Sequence, residues 1–190
     1  MRIIAGEWRG RKLVAPAGDT TRPTADRTRE TLFSMLVSRL GSFEGLHVAD
    51  LFAGSGALGL EALSRGAESV TFVEQDAAAL RALRANITAL RAQQKADVRA
   101  VSVLSLGPAK RQPDLILLDP PYGTSAGSVA LDRLNRLGWI APGAWISLET
   151  ANTETIDLKG FEVETVRNSG KARLHLLRLS GNLQTNTRSS

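Results

Sequence analysis

From residue 46 onward, short apolar runs alternate with stretches in which apolar residues return every three or four positions. The runs over 46–52, 69–73, 98–104, 114–118 and 144–149 predict buried strands, and the stretches 57–65, 76–91 and 128–137 predict helices. The helix over 76–91 carries Leu80, Leu83, Ile87 and Leu90 on one face, with Arg81, Arg84 and Arg91 mostly elsewhere on a solvated surface. An earlier helix is marked by Phe33, Leu36, Val37 and Leu40 at i, i+3, i+4 and i+7, with Thr24 as its N-cap and Gly41 and Gly45 at its end. Repeated strand–helix units predict an α/β fold with a mostly parallel, doubly wound sheet, right-handed crossovers and helices on both faces. The pattern changes at both termini. Residues 161–167 and 173–179, joined through Asn168-Ser169-Gly170-Lys171, predict an antiparallel hairpin on one side of the sheet. His175 alternates with Leu174 and Leu176 and is expected on the exposed side of the last strand, without a role. Near the start, Gly6, Gly10 and Gly18 punctuate β-like pieces around Ile3 and over 12–15, predicting a small hairpin. Three parts are expected: an N-terminal hairpin extension over 1–22, a domain over 23–180 and a disordered tail over 181–190.

Composition narrows the function. The chain has 190 residues, 43% of them hydrophobic, which suits one globular core. No apolar run approaches the roughly 18 residues of a membrane span, and the first twelve residues are too polar for a signal peptide, so a cytoplasmic location is expected. Cysteine is absent, which excludes disulfides, thiolate metal sites and the thiolate nucleophile used to methylate carbon 5 of pyrimidines. With His47 and His175 the only histidines, no metal centre is expected. A formal charge of +5, carried mainly by arginine, suits a polyanionic partner. Within the hairpin, Arg9, Arg11 and Lys12 cluster in a segment expected to project with little core of its own, which favours contact with phosphates. Trp8 beside them reads equally well as a stacking platform and as the hairpin's own small core.

Two motifs carry chemistry. Asp50-Leu51-Phe52-Ala53-Gly54-Ser55-Gly56-Ala57-Leu58-Gly59 follows the first strand, and Glu74 closes the second. In this G-x-G-x-x-G pattern Gly54 and Gly56 permit a tight turn and close approach of a ligand, Gly59 permits helix–strand packing, and Glu74 can accept from two ribose hydroxyls. Nicotinamide enzymes share the arrangement, but Asp50 ahead of the loop would repel a pyrophosphate and suits a cationic sulfonium and amino-acid head group. Asp119-Pro120-Pro121-Tyr122 follows the fourth strand, at the edge where open α/β sheets bind ligands. The Asp119 carboxylate and the Pro120 carbonyl can accept hydrogens from an exocyclic amine, the two prolines stiffen that pair, and Tyr122 offers a ring to a flipped-out base. Such an amine is a poor nucleophile because its lone pair is delocalised into the ring. Two oriented acceptors favour a pyramidal nitrogen, so catalysis here is positioning and electrostatics rather than covalent chemistry.

The segments over 2–13, 22–36 and 50–67, together with Val73-Glu74-Gln75-Asp76 and Asp119-Pro120-Pro121-Tyr122, strongly resemble the RsmD-type bacterial methyltransferases, up to about Leu179. The first two segments are the most particular to that family. The resemblance implies a Rossmann-like class I methyltransferase domain with a seven-stranded sheet. It also implies S-adenosylmethionine as cofactor and the N2 amine of one guanine in small-subunit (16S) ribosomal RNA as target. Asp119, Pro120, Pro121 and Tyr122 would hold the guanine. Asp50, Phe52, Ala53, Gly54, Ser55, Gly56, Glu74 and Gln75 would hold the cofactor. Arg9, Arg11, Lys12 and Arg27 would grip RNA, with Arg22 and Thr24 near the mouth of the site. At the end of the third strand many relatives carry an acid or amide for the adenine; here Ser102 is the nearest polar candidate. Small ribosomal subunits or their assembly intermediates are the expected partner, and the protein is expected to act as a monomer. Two rivals remain: a DNA adenine or cytosine amino-methyltransferase, and a catalytically silent RNA-binding assembly factor; a nicotinamide enzyme is more remote.

Overall fold

The computed structural model describes residues 1–17 and 23–181, the side chains of Pro23 and Thr24 excepted. In chain order the elements are α1 (Pro23–Leu40), β1 (His47–Leu51), α2 (Ala57–Ser64), β2 (Ser69–Val73), α3 (Ala77–Ala89), β3 (Ala96–Arg99), β4 (Leu115–Leu118), α4 (Ala126–Arg136), β5 (Trp145–Ala151), β6 (Phe161–Ser169) and β7 (Ala172–Leu179). Among the described residues the strands form one seven-stranded sheet in the order β3-β2-β1-β4-β5-β7-β6. β7 runs antiparallel to both its neighbours, and every other pairing is parallel. The order reverses between β1 and β4, so the crevice beyond their carboxyl ends is where this topology offers a ligand site.

Strand alternation sends side chains to opposite faces, and each face has its own core. Val48, Phe72, Leu117 and Leu176 lie beneath Leu32, Phe33 and Leu36 of α1, Leu60 of α2 and Leu83 of α3. Ala49, Leu51, Ile116 and Leu148 lie beneath Leu131 and Leu134 of α4. Both faces of the central strands are covered, which explains their near-continuous apolar sequence.

Several expectations need correction. The third strand lies at Ala96–Arg99 rather than over 98–104, and Val103–Ser105 forms a 3-10 turn that buries Val103. α1 opens at Pro23, so Thr24 sits inside its first turn instead of capping it. His175 is buried, with its ring Nδ1 3.2 Å from the Leu148 carbonyl. The segment after β5 covers that face, with Ile156 and Leu158 packed against its core, and burial lowers the histidine's pKa. Of the expected tail, Gly181 alone lies within the described residues.

The N-terminal segment does not project. Arg2 bridges Lys12, the Ile3 amide donates to Arg11, and Ile3 and Leu13 are buried in the core beneath α1 and α2. Glu61 of α2, fully buried, holds the segment in place. One carboxylate oxygen accepts from the Ile4 amide at 2.8 Å, and the other from the Ala5 amide at 3.0 Å and Arg65 Nε at 2.9 Å. Arg29 of α1 approaches the same carboxylate at 3.8 Å and also donates to the Arg2 carbonyl and to Asp26. Gly6, at φ +85°, passes so close to α2 that a Cβ there would sit 1.9 Å from the Ser64 carbonyl oxygen. Asn86 of α3 completes the docking, donating to the Val14 carbonyl at 2.9 Å and accepting from its amide at 2.7 Å. Trp8 packs partly buried against this core, which favours the structural of its two readings.

Removing one partner of a buried ion pair strands the other charge and typically costs about 3–5 kcal/mol. Glu61→Ala is therefore expected to lower unfolding stability by about that amount in urea titration. A loss below about 1 kcal/mol would mean that the N-terminal segment docks without this carboxylate.

Candidate active site

Strand register builds the site. Asp50 of β1 stands opposite Leu117 of β4, and Asp119 lies two residues further along, on the same face by alternation. Leu118 stands opposite Leu148 of β5, so Asp119, just past the end of β4, and Glu149, within β5, stand side by side at one level. Asp50, Asp119 and Glu149 all line a single cavity of about 630 Å³, within the roughly 300–1,000 Å³ typical of small-molecule sites. Its walls are Ala25, Thr28, Arg29 and Leu32 of α1, the loop over 52–55, Tyr122, and the turn over 169–172 between β6 and β7. Met1 and Ala15 of the docked N-terminal segment complete it. Thr28 and Ser169 share a hydrogen bond at 3.1 Å that ties α1 to the hairpin turn. A second hollow of about 470 Å³, beside Glu154, Arg173 and His175, contains none of the motif residues.

At the glycine loop, Asp50 is buried and one of its oxygens accepts from the Gly59 amide at 2.8 Å. The other oxygen is buried with no hydrogen-bond partner. Burial pushes this carboxyl up to about 8; the Gly59 amide opposes the shift and the charge of Glu74 adds to it. An unpartnered buried oxygen of this kind is a place for a cationic donor.

The three glycines differ in what surrounds them. A Cβ on Gly54 would meet open space, so this backbone is free for a ligand to approach. On Gly56 it would sit 2.3 Å from Leu83, and on Gly59 2.4 Å from Phe72; both positions serve packing of α2 and α3 on β2. Phe52 takes φ 61°, a left-handed conformation that is strained for a large side chain, where the chain turns into the loop. Ser55 is held by its carbonyl, which accepts from Asn86 at 3.0 Å. Glu74 is more occupied than expected. Its carboxylate accepts from the amides of Gly54, Gln75 and Asp76, each at 2.8 Å, using three of about four acceptor positions.

Asp119 opens to solvent through the cavity, yet protein packs closely around it. That crowding, followed by the charges of Glu149 and Asp50, raises its pKa well above the ordinary carboxylate range. The Tyr122 hydroxyl donates to Glu149, and burial with this bond raises the tyrosine's pKa as well. Burial likewise raises Glu149, opposed by the Tyr122 bond. The Pro121 carbonyl accepts from Thr124 at 2.7 Å, which fixes the turn. Pro120 is wedged under α4 at Gly127, where a Cβ would sit 3.2 Å from its ring. Glu149 and Lys171 were not singled out in the sequence; the only sign was an acid closing the fifth strand and a lysine in the hairpin turn.

Other expected residues lie elsewhere. Gln75 is exposed beyond β2 and Ser102 caps the 3-10 turn, its hydroxyl accepting from Leu104 at 3.2 Å; neither lines the cavity. Arg9, Lys12 and Arg27 are exposed. Arg11 donates to the Ala89 carbonyl at 2.8 Å, a structural bond at the end of α3. Arg22 and the side chain of Thr24 lie outside the described residues. Among the described residues no group of three or more His, Asp or Glu could hold a metal, and no helix is long and apolar enough to cross a membrane.

Comparison with known proteins gives consistent matches. The family described as conserved hypothetical protein 95 matches residues 1–178. Ribosomal RNA small subunit methyltransferase D of Haemophilus influenzae is 42% identical over 79% of this chain and 78% of its own. The Escherichia coli K12 protein of the same name is 39% identical over 79% of this chain and 74% of its own. The solved structure of yhhF from Escherichia coli, described as a methyltransferase, superposes with a TM-score of 0.81 at 34% identity, covering 95% of this chain and 98% of that one. At 16% identity and a TM-score of 0.63, magnesium protoporphyrin IX methyltransferase of Synechocystis, solved with SAM bound, shares the fold over 86% of this chain and 87% of its own. The fold is the Rossmann-like methyltransferase fold.

The raised pKa of Asp50 has a measurable sign. With a folded value of about 8 against an ordinary 3.8, the folded state keeps a proton that the unfolded chain has lost. The group's contribution to stability is thus present below about pH 4 and lost as pH rises through about 8. Asp50→Asn lacks this loss, so its melting temperature is expected to gain on the wild type steadily between those limits. Parallel curves in thermal denaturation would contradict the assignment.

Proposed function

Because the chain belongs to the conserved hypothetical protein 95 family, that of the RsmD methyltransferases, we propose that it methylates the N2 amine of one guanine in small-subunit (16S) ribosomal RNA, with S-adenosylmethionine as donor. The observation that carries this reading is the meeting of Asp119 and the unpartnered Asp50 oxygen in one cavity beside the open backbone of Gly54. The names of the relatives supply the RNA, and the fold neighbour holding SAM supplies the precedent for the cofactor.

The residues present fit that cofactor. Asp50 offers its free oxygen to an ammonium group. Phe52, Ala53, Gly54 and Ser55 shape the loop around the amino-acid portion, while Gly56 supports the loop from behind. Glu74, behind the loop, would take ribose hydroxyls by exchanging the Gly54 amide for them, while Gln75 and Ser102, outside the cavity, are proposed for the adenine from the resemblance alone. When bound, S-adenosylmethionine supplies an electrophilic methyl group on a sulfonium. Asp119 and the Pro120 carbonyl accept the two amine hydrogens and turn the nitrogen's lone pair toward that methyl. Pro121 stiffens the pair, and Tyr122 stacks on the base, a contact worth roughly 1–3 kcal/mol. Asp119 would act as an acceptor before it acts as a base: the amine proton becomes acidic only as the N–C bond forms and the methyl–sulfur bond breaks, leaving a neutral thioether, and it would then pass to the carboxylate oxygen. Such a base must leave its stack, at a cost of a few kcal/mol that the pocket offsets.

The exposed Arg9, Lys12 and Arg27 would contact phosphates, joined by Arg11, which also bonds the end of α3; Arg22 and Thr24 are proposed for the same task from the resemblance alone. The substrate is folded RNA or a ribosomal particle, met by a monomer in the cytoplasm.

Labelled methyl donor supplied in parallel to assembled small subunits, free ribosomal RNA and DNA, followed by digestion, is expected to yield labelled N2-methylguanosine from the ribosomal substrates alone. Label in DNA adenine or cytosine would overturn the proposal. Asp119→Ala is expected to lower turnover by roughly 10²–10³-fold or more while sparing RNA affinity. Unchanged turnover would remove Asp119 from the mechanism.

A further inference from the structure

The bases that carry an exocyclic amine differ in what stands beside it. In adenine and cytosine the adjacent ring nitrogen on the pairing edge is an acceptor. In guanine it is N1–H, a donor. A site that presents a second acceptor next to the one holding the amine therefore selects guanine and leaves the other two with lone pairs facing each other.

Glu149 is such an acceptor. It follows Leu148 as Asp119 follows Leu118, and those leucines are register partners on adjacent parallel strands. Neighbouring strands lie about 4.8 Å apart, so the two carboxylates can each take a hydrogen from neighbouring N–H groups on one base edge. Both line the same cavity. One oxygen of Glu149 accepts from the Tyr122 hydroxyl, and the other makes no hydrogen bond among the described residues. The base placed against Asp119 and stacked on Tyr122 thus meets Glu149 along its edge. Resting on the guanine reading above, we propose that Glu149 is the specificity-determining residue: its free carboxylate oxygen accepts N1–H while Asp119 holds the N2 amine. The electrostatics agree. Burial raises both acids and the charge of Glu149 raises Asp119 further, so a pair of donors arriving together is favoured at both.

Glu149 could instead serve only to anchor Tyr122, and the test separates these roles. The methylated guanine is replaced in the RNA by 2-aminopurine, which keeps the 2-amine but has a bare acceptor at N1. For the wild type the substitution is expected to lower kcat/KM by roughly 10–100-fold, the effect of leaving a charged acceptor without its donor. Glu149→Gln keeps a carbonyl oxygen for the Tyr122 hydroxyl and gains an NH2 that can face a bare ring nitrogen. Its preference for guanine over 2-aminopurine is expected to shrink to near unity or invert, with S-adenosylhomocysteine affinity unchanged as a check on folding. Equal wild-type rates on both substrates would overturn the proposal without any variant. So would a Glu149→Gln enzyme slowed in parallel on both, the outcome for a residue that only steadies Tyr122. Wild-type methylation of adenine or cytosine would remove the guanine reading itself, whereas guanine methylation with an unchanged preference in Glu149→Gln would remove the role of Glu149 alone.

Discussion

In a parallel sheet, side chains alternate faces with a period of two, and neighbouring strands held in register keep partners on the same side. Here that constraint decides the chemistry. Asp50, Asp119 and Glu149 come from three strands far apart in sequence, yet the pairings of β1 with β4 and β4 with β5 bring them to one face at one end. A slip of one residue in either pairing would send a carboxylate to the α4 side, away from the glycine loop. The dense apolar packing of Leu117 and Leu176 on one face and Leu118 and Leu148 on the other is what forbids the slip. Burying the acids in this way raises their pKa values, and the charges of Glu149 and Asp50 raise Asp119 further, which destabilises the empty site and favours whatever cation or N–H donor enters it.

The N-terminal segment supports the same cavity from the opposite side. Glu61 fixes Ile4 and Ala5 to α2, and Arg29 reaches from α1 to that carboxylate and to the Arg2 carbonyl. Arg29 also lines the cavity, as do Met1 and Ala15, so the docked segment is part of the wall. Its exposed cations, Arg9 and Lys12, are thereby held at fixed positions relative to the pocket.

The strand–helix alternation was legible in the sequence because each repeat carries a strong local signal, and β2 was placed to the residue. The two motifs were legible because their residues are contiguous. What escaped was whatever depends on contacts between distant segments. β3 is an edge strand of mixed polarity, Ala-Asp-Val-Arg, so the more apolar stretch after it drew the strand assignment, although Val103 is buried in a 3-10 turn. His175 was assigned to the solvent by alternation, a rule that assumes one wet face, whereas both faces of β7 are covered. Glu61 looked like any acid in a helix, since its amide partners lie more than 50 residues away. Glu149 had no motif of its own; only the pairing of β5 with β4 shows that it stands beside Asp119.

The proposed chemistry requires Asp50 to hold the ammonium group of the cofactor in the cavity that Asp119 also lines. It is tested most directly by a crystal structure of the protein with S-adenosylhomocysteine, whose amino group carries the same charge. The ligand's amino nitrogen is expected within hydrogen-bonding distance of the Asp50 oxygen that now has no partner, with the sulfur facing Asp119. A ligand whose amino group lies away from Asp50, or whose sulfur is turned from Asp119, would contradict it.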